Sequence, residues 1–208
     1  MIAIVDYKMG NLASVSKALE YIHRECVITD DPAVISRADA LILPGVGAYA
    51  PAMEALRAKG LDVVVKEFAA SGKPMLGICL GMQLMLSESE EGAGPDGNIK
   101  GLGIIPGSVK KFPSDKTVDQ GLKVPQIGWN KLTDVKGSLL RDGDYVYFVH
   151  SFYCDPEDSA DAAAYTEYGI KYVCALEREN IFATQFHPEK SGEAGLQILE
   201  RFARRIKK

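Results

Sequence analysis

Cysteine, histidine and glutamate together can carry out acyl transfer, and this 208-residue chain holds one set of the three in a context that suits it. Of its four cysteines, Cys79 alone lies in a Gly77-x-Cys79-x-Gly81 pattern, after the apolar run Met75–Ile78 and before the helical pattern Leu80–Leu86. This is the nucleophile-elbow pattern with a thiol in place of the hydroxyl. A nucleophile on a tight strand-to-helix turn needs neighbours without side chains, and glycines two positions before and two after supply that room. The turn lifts the sulfur off the carboxyl edge of the sheet, where open α/β folds bind ligands. The helix that follows aims its first amides at the sulfur and favours the thiolate. The alternative is a buried cysteine that happens to sit between glycines. That fits Cys26, Cys154 and Cys174, which read as small buried hydrophobes.

A thiol nucleophile needs a base. Of the three histidines, His23 falls near the end of the first helix and reads as a surface or last-turn residue. His150 ends the strand-like run Tyr145–Val149 and could lie at the edge of a site. His187 follows the strand-like run Ile181–Phe186, and Pro188 holds it extended. Glu189, two positions on, can fold back to accept a hydrogen bond from the imidazole N–H, fixing the tautomer and stabilising the imidazolium. Leu43-Pro-Gly-Val-Gly47 ends another apolar strand. An ordinary turn is one reading; beside a reactive cysteine, the amides of Val46 and Gly47 become oxyanion donors together with the N–H of Leu80.

The elements that must position these groups alternate in the first half. Strands are expected at Ile2–Asp6, Cys26–Ile28, Leu41–Leu43 and Met75–Ile78. Helical patterns run from Leu12, with Asn11 as its cap, from Ala48 to Ala70, and from Leu80. Such alternation implies a mostly parallel central sheet flanked by helices. The second half reads as short strands among glycines and prolines: Val109–Phe112, Val124–Ile127, Tyr145–Val149, Lys171–Leu176 and Ile181–Phe186. These later strands are expected to be mixed or antiparallel. An amphipathic helix follows from Gly192 to the C-terminus. The whole chain, 1–208, is expected to be one α/β domain.

A 47% hydrophobic composition provides one sizeable core, and a net charge of −4 argues against a grip on nucleic acid. No apolar run reaches the length of a membrane span, and the N-terminus lacks a secretory pattern, so cytoplasmic residence without a membrane partner is expected. No Cys/His cluster has metal-ligand spacing, and the chemistry proposed for Cys79 calls for no cofactor.

Gly77–Gln83 and Phe186–Glu189 together resemble the class I glutamine amidotransferases, whose Cys-His-Glu triads hydrolyse glutamine to glutamate and ammonia. Asp6–Leu12, Leu43–Gly47, Pro125–Asn130, Tyr147–Ser151 and Gln185–Ser191 extend the resemblance to the glutaminase subunits of imidazole glycerol phosphate synthases, in the right order over nearly the whole chain. One departure is Lys8, in a turn where many relatives carry a small residue. The resemblance implies glutamine as substrate, bound by Gln83, by Glu91 at its amino group, and by the backbone of Ser151 and Phe152 at its carboxylate. Read without it, Glu91 belongs to a solvated acidic turn. It also implies a (β/α)8-barrel cyclase as heterodimer partner, which would use the ammonia in histidine biosynthesis to make imidazole glycerol phosphate and an aminoimidazole carboxamide ribotide. Asn11, Trp129 and Lys190, in loops like those of the family, are the interface candidates. Two neighbouring readings stay open: a glutaminase serving another synthase, and a cysteine peptidase of similar fold. A third, non-enzymatic reading is a binding module with an inert thiol.

Overall fold

The computed structural model describes residues 1–95 and 97–206. The helix expected from Gly192 to the C-terminus instead ends at Ala203, with Arg204–Ile206 in a turn, and residues 207–208 lie outside the described residues. In chain order the elements are β1 (Ile2–Val5), α1 (Leu12–Tyr21), β2 (Cys26–Thr29), α2 (Pro32–Arg37), β3 (Ala40–Gly45), α3 (Tyr49–Ala58), α4 (Leu61–Ala70), β4 (Met75–Cys79) and α5 (Leu80–Leu84). Then come β5 (Glu88–Gly94), β6 (Gly97–Lys100), β7 (Gly107–Lys111), β8 (Gln126–Lys131), β9 (Tyr145–His150), β10 (Phe152–Pro156), β11 (Ala162–Tyr168), β12 (Ile170–Arg178), β13 (Ile181–Thr184) and α6 (Gly192–Ala203). No helix among the described residues is long and apolar enough to cross a membrane.

The main sheet runs β2-β1-β3-β4-β13-β12-β10-β7-β5-β6, with β11 paired to β12 off this path. Strands β2, β1, β3, β4 and β13 are mutually parallel. From β12 onward the pairing is antiparallel except between β5 and β7. The parallel strands are apolar throughout because both faces are covered. In β1, Ala3 and Val5 face a layer that includes Leu56, Val65 and Phe68 of α3 and α4. Ile2 and Ile4 face the opposite layer, with Val15 and Leu19 of α1 and Ile198, Leu199 and Phe202 of α6. A separate two-stranded sheet, β8–β9, lies over this second layer and buries Val146 and Phe148 in it.

Three expectations need correction. The Ala48–Ala70 helical run breaks into two helices at Gly60, whose left-handed backbone (φ 65°) ends one and starts the next. Asn11 stands at the N-cap position of α1, but its side chain makes no capping bond because its backbone (φ −84°, ψ 62°) is not the extended form that aims the side chain at the helix. The acidic run holding Glu91 is not a turn but part of β5, packed beside α3. At Lys8 the backbone is left-handed (φ 69°), which explains why a small residue suits that turn. Here the Lys8 N–H and ammonium both bond Asp6, at 3.0 and 2.8 Å.

Candidate active site

Strand β4 passes into α5 with no loop between them. Cys79 makes the turn alone, with φ 54° and ψ −110°, a backbone that L-residues rarely adopt. Close packing holds it there. A Cβ on Gly81 would lie 1.8 Å from the Leu43 carbonyl oxygen, and one on Gly77 would lie 2.9 Å from the Met85 side chain. Parallel pairing sets Gly45 of β3 beside Cys79, and Thr184 of β13 beside Ile78, so the next residue, Gln185, comes level with the cysteine. The elbow therefore opens at the carboxyl end of the parallel strands, between two neighbours.

The same edge receives His187 and Glu189. Past β13 the chain stays extended through His187 (φ −99°, ψ 98°), then enters a single helical turn at Pro188–Lys190. That turn brings Glu189 back, and its Oε1 lies 2.8 Å from His187 Nδ1 with both side chains 1% exposed. Burial pulls the imidazole pKa down. The thiol of Cys79 and the Glu189 carboxylate outweigh it and hold the ring's pKa up, at about 9. His187 Nε2 is buried and has no hydrogen-bond partner among the described residues, so the nitrogen on the far side of the ring from Glu189 is available to exchange a proton.

These groups open on a cavity of about 340 Å³, within the size range of small-molecule sites. Val46, Gly47, Leu80, Gln83, Glu91, Ser151 and Phe152 line it together with Cys79 and His187, so the oxyanion and substrate candidates border one cavity. Leu80 begins α5, and its N–H has no acceptor within its own helix. The Val46 N–H is turned away from the cavity and donates to the Met9 carbonyl at 3.1 Å. Tyr7, fully buried, pins the same segment by donating its hydroxyl to the Pro44 carbonyl at 2.7 Å. Glu91 accepts from the Tyr49 N–H at 3.2 Å, has no cationic partner among the described residues, and is held above the usual carboxylate range by burial. It can receive an ammonium group.

His150 also lines the cavity, behind Ser151. Its Nδ1 lies 2.7 Å from the Phe152 carbonyl, which can only accept, so that nitrogen carries the proton. Burial lowers the ring to about 4, leaving it neutral, with Nε2 as acceptor for the Tyr172 hydroxyl at 3.0 Å. The Tyr172 oxygen is 2.8 Å from the Gln126 side-chain amide, whose NH2 end must then face it. His23 stands in a turn just past α1, outside the site.

The interface candidates lie on the outside of the same end. Trp129 is 55% exposed on β8, edge-on to Tyr147, and Ile127 and Tyr145 are exposed beside it. Lys190 is exposed on the helical turn that follows His187, and half-buried Asn11 starts α1, which packs on that turn. Strand β9 ties the two together, since the His187 N–H donates to the Tyr147 carbonyl at 3.0 Å.

Residues 3–206 match the glutamine amidotransferase class-I family, and the chain belongs to that family. Its similarity to curated relatives is narrower. It is 50% identical over 208 residues to the imidazole glycerol phosphate synthase subunit HisH of Chlorobaculum tepidum, covering 98% of this chain and 99% of that one. The subunit of the same name from Methanothermobacter thermautotrophicus is 47% identical over the full length of both chains, 100% of each. Among solved structures, a glutamine amidotransferase superposes with a TM-score of 0.73 at 17% identity, covering 98% of this chain and 100% of that one. A chain of the PurLQS structure from Thermotoga maritima superposes with a TM-score of 0.71 at 20% identity, covering 99% and 98%. At such identities these structures establish the fold alone.

Sequence reasoning missed Gln185, Tyr7 and the Met9 carbonyl. Alternation along an extended segment puts residues 185 and 187 on one side, with Phe186 in the core between them, and that signal could have found Gln185. Tyr7 and Met9 lie in the family-like segment Asp6–Leu12 but were given no role, because they reach the site only through the pairing of β1 with β3.

Proposed function

We propose that this chain is the glutaminase subunit of an imidazole glycerol phosphate synthase and works through Cys79, His187 and Glu189. The observation that carries the reading is the buried imidazole held up by the thiol and the carboxylate, beside an elbow that opens into a cavity. His187 takes the proton of Cys79, and the thiolate attacks the side-chain carbonyl carbon of glutamine. The Leu80 N–H receives the oxyanion. His187 then protonates the departing ammonia, leaving a thioester. Water loses a proton to His187 as it attacks that thioester, and the proton returns to the sulfur as glutamate leaves. Glu91 takes the substrate's ammonium group, Gln83 stands beside the reacting amide, and the Ser151–Phe152 backbone faces the carboxylate.

Ammonia then passes to a separate (β/α)8-barrel cyclase that docks around Asn11, Trp129 and Lys190. The likeness of the whole chain to synthase subunits supports this partner over that of another amidotransferase. Because the Val46 N–H is engaged by Met9, docking is what turns it toward the oxyanion. The peptidase reading is disfavoured by half-buried Glu91, which has no cationic partner among the described residues and suits a free amino acid better than a polypeptide.

The test is a glutaminase assay of the chain with and without the cyclase. Cyclase turnover fed by glutamine should vanish in Cys79→Ala, by at least about 10⁴-fold as for other removed nucleophiles, while turnover fed by ammonium survives. Unchanged glutamine-fed turnover in that variant would sink the proposal.

A further inference from the structure

Behind the nucleophile lies a buried pair of side-chain amides, of which the scheme above uses Gln83 and leaves Gln185 without a role. Gln185, fully buried, stands level with Cys79 and brings its Nε2 to 3.7 Å from the sulfur. Its Oε1 accepts from Gln83 Nε2 at 3.0 Å. Gln83 Nε2 also donates to the Phe152 carbonyl at 3.1 Å.

The direction of this chain is fixed from its far end. A carbonyl oxygen cannot donate, so the amide of Gln83 must present its NH2 to Phe152. The second hydrogen of that NH2 then points at Gln185, which must answer with its oxygen. With the oxygen committed, only the NH2 of Gln185 is left to meet Cys79. The Phe152 carbonyl is itself held in place by His150 Nδ1 at 2.7 Å, so the anchor cannot swing away. The sulfur is thus met by a hydrogen-bond donor whose orientation is set three residues away.

A fixed donor distinguishes the two forms of the sulfur. A thiolate accepts strongly from an N–H, whereas a neutral thiol accepts weakly and sends its own hydrogen elsewhere, here toward the Val149 carbonyl at 3.8 Å. Val149 therefore favours the thiol and Gln185 the thiolate.

We infer that Gln185 is part of the glutaminase machinery: its NH2, oriented by Gln83 and the Phe152 carbonyl, holds Cys79 as the thiolate before substrate arrives. This rests on Cys79 being the nucleophile. It also gives Gln83 a second task, since the side chain that stands beside the substrate amide also steers the donor on the sulfur.

The test separates electrostatic from structural roles. Gln185→Glu keeps the shape but replaces the donor with an anionic oxygen. Gln185→Met keeps the volume and removes both polar ends, and it serves if the glutamate variant does not fold. Alkylation of Cys79 by iodoacetamide is followed across pH on the isolated chain and resolved by mass spectrometry, with Cys79→Ala and glutaminase activity measured in parallel. At neutral pH the methionine variant should alkylate about ten-fold more slowly than wild type, the loss of one hydrogen bond to a charged group. The glutamate variant should be slower still, and at high pH, where thiols ionise unaided, all three should converge. Equal neutral-pH rates, or a deficit that persists unchanged at high pH, would overturn the role of Gln185 while leaving Cys79 as nucleophile. An active Cys79→Ala variant would instead remove the premise, and the inference with it.

Discussion

Two imidazoles line one cavity, both almost completely buried, and the fold drives them in opposite directions. His187 is held up at about 9 and His150 is pressed down to about 4. Their difference lies in their partners. His187 has a carboxylate at one nitrogen and a thiol beyond the other, so the charged ring finds compensation. His150 meets a backbone carbonyl, a phenol and the rings of Phe112 and Phe148, which offer hydrogen bonds and contact but no negative charge. Burial, reinforced here by the nearby charge of His187, makes a histidine a neutral strut. An anion turns the same side chain into a carrier of protons.

The largest expected effect comes from removing the charge at His187 without disturbing its shape. Glu189→Gln keeps an oxygen near Nδ1 but leaves the imidazolium without its anion, and glutaminase kcat/KM should fall about 10⁴-fold, by analogy with other triads whose acid is neutralised. A value within about three-fold of wild type would show that position, not charge, is what Glu189 supplies, and the contrast between the two histidines would lose its explanation.

A smaller effect is expected on the other side. In the unfolded chain a histidine takes up its proton below about 6.5, whereas folded His150 does so only near 4. Between those values the unfolded state binds more protons, so stability is intact above that window and declines as pH falls through it. At about pH 5 the loss amounts to about 2 kcal/mol. Asparagine places an N–H near the position of Nδ1 and does not titrate. His150→Asn should therefore lose less stability than wild type between neutral pH and pH 5, by about 2 kcal/mol in urea unfolding. Identical slopes for the two proteins would mean that His150 is not held neutral.

The two corners also differ in how far the sequence exposed them. The elbow was legible because its requirements are local: a strand, two glycines around a cysteine, and a helix all lie within one short stretch. His187 and Glu189 were legible for the same reason, being two positions apart across a proline. His150 was visible only as a residue at a strand end, because what defines it, the hydroxyl of Tyr172, comes from β12. Without the resemblance Glu91 reads as a solvated turn, since its composition is acidic and glycine-rich and only pairing with β6 and β7 and packing on α3 make it a strand. The first four parallel strands followed from unbroken apolar runs, whereas β13, which pairs parallel with β4, was read among the later strands expected to be mixed or antiparallel. Strands β10 and β11 did not, because Phe152–Pro156 and Ala162–Tyr168 carry too few β-branched residues to stand out from their surroundings.

Gly81 has a consequence beyond catalysis. With the Leu43 carbonyl oxygen where the first side-chain atom would go, the position has no graded series of substitutes, and even alanine must wedge β3 away from the elbow. Gly60 and Gly72 differ, for they adopt left-handed backbones in open space, where asparagine is a tolerable replacement. In a library that samples every amino acid at these three sites, position 81 should return a single survivor. The reactive atom thus owes its address to a spot where the chain can have no side chain at all.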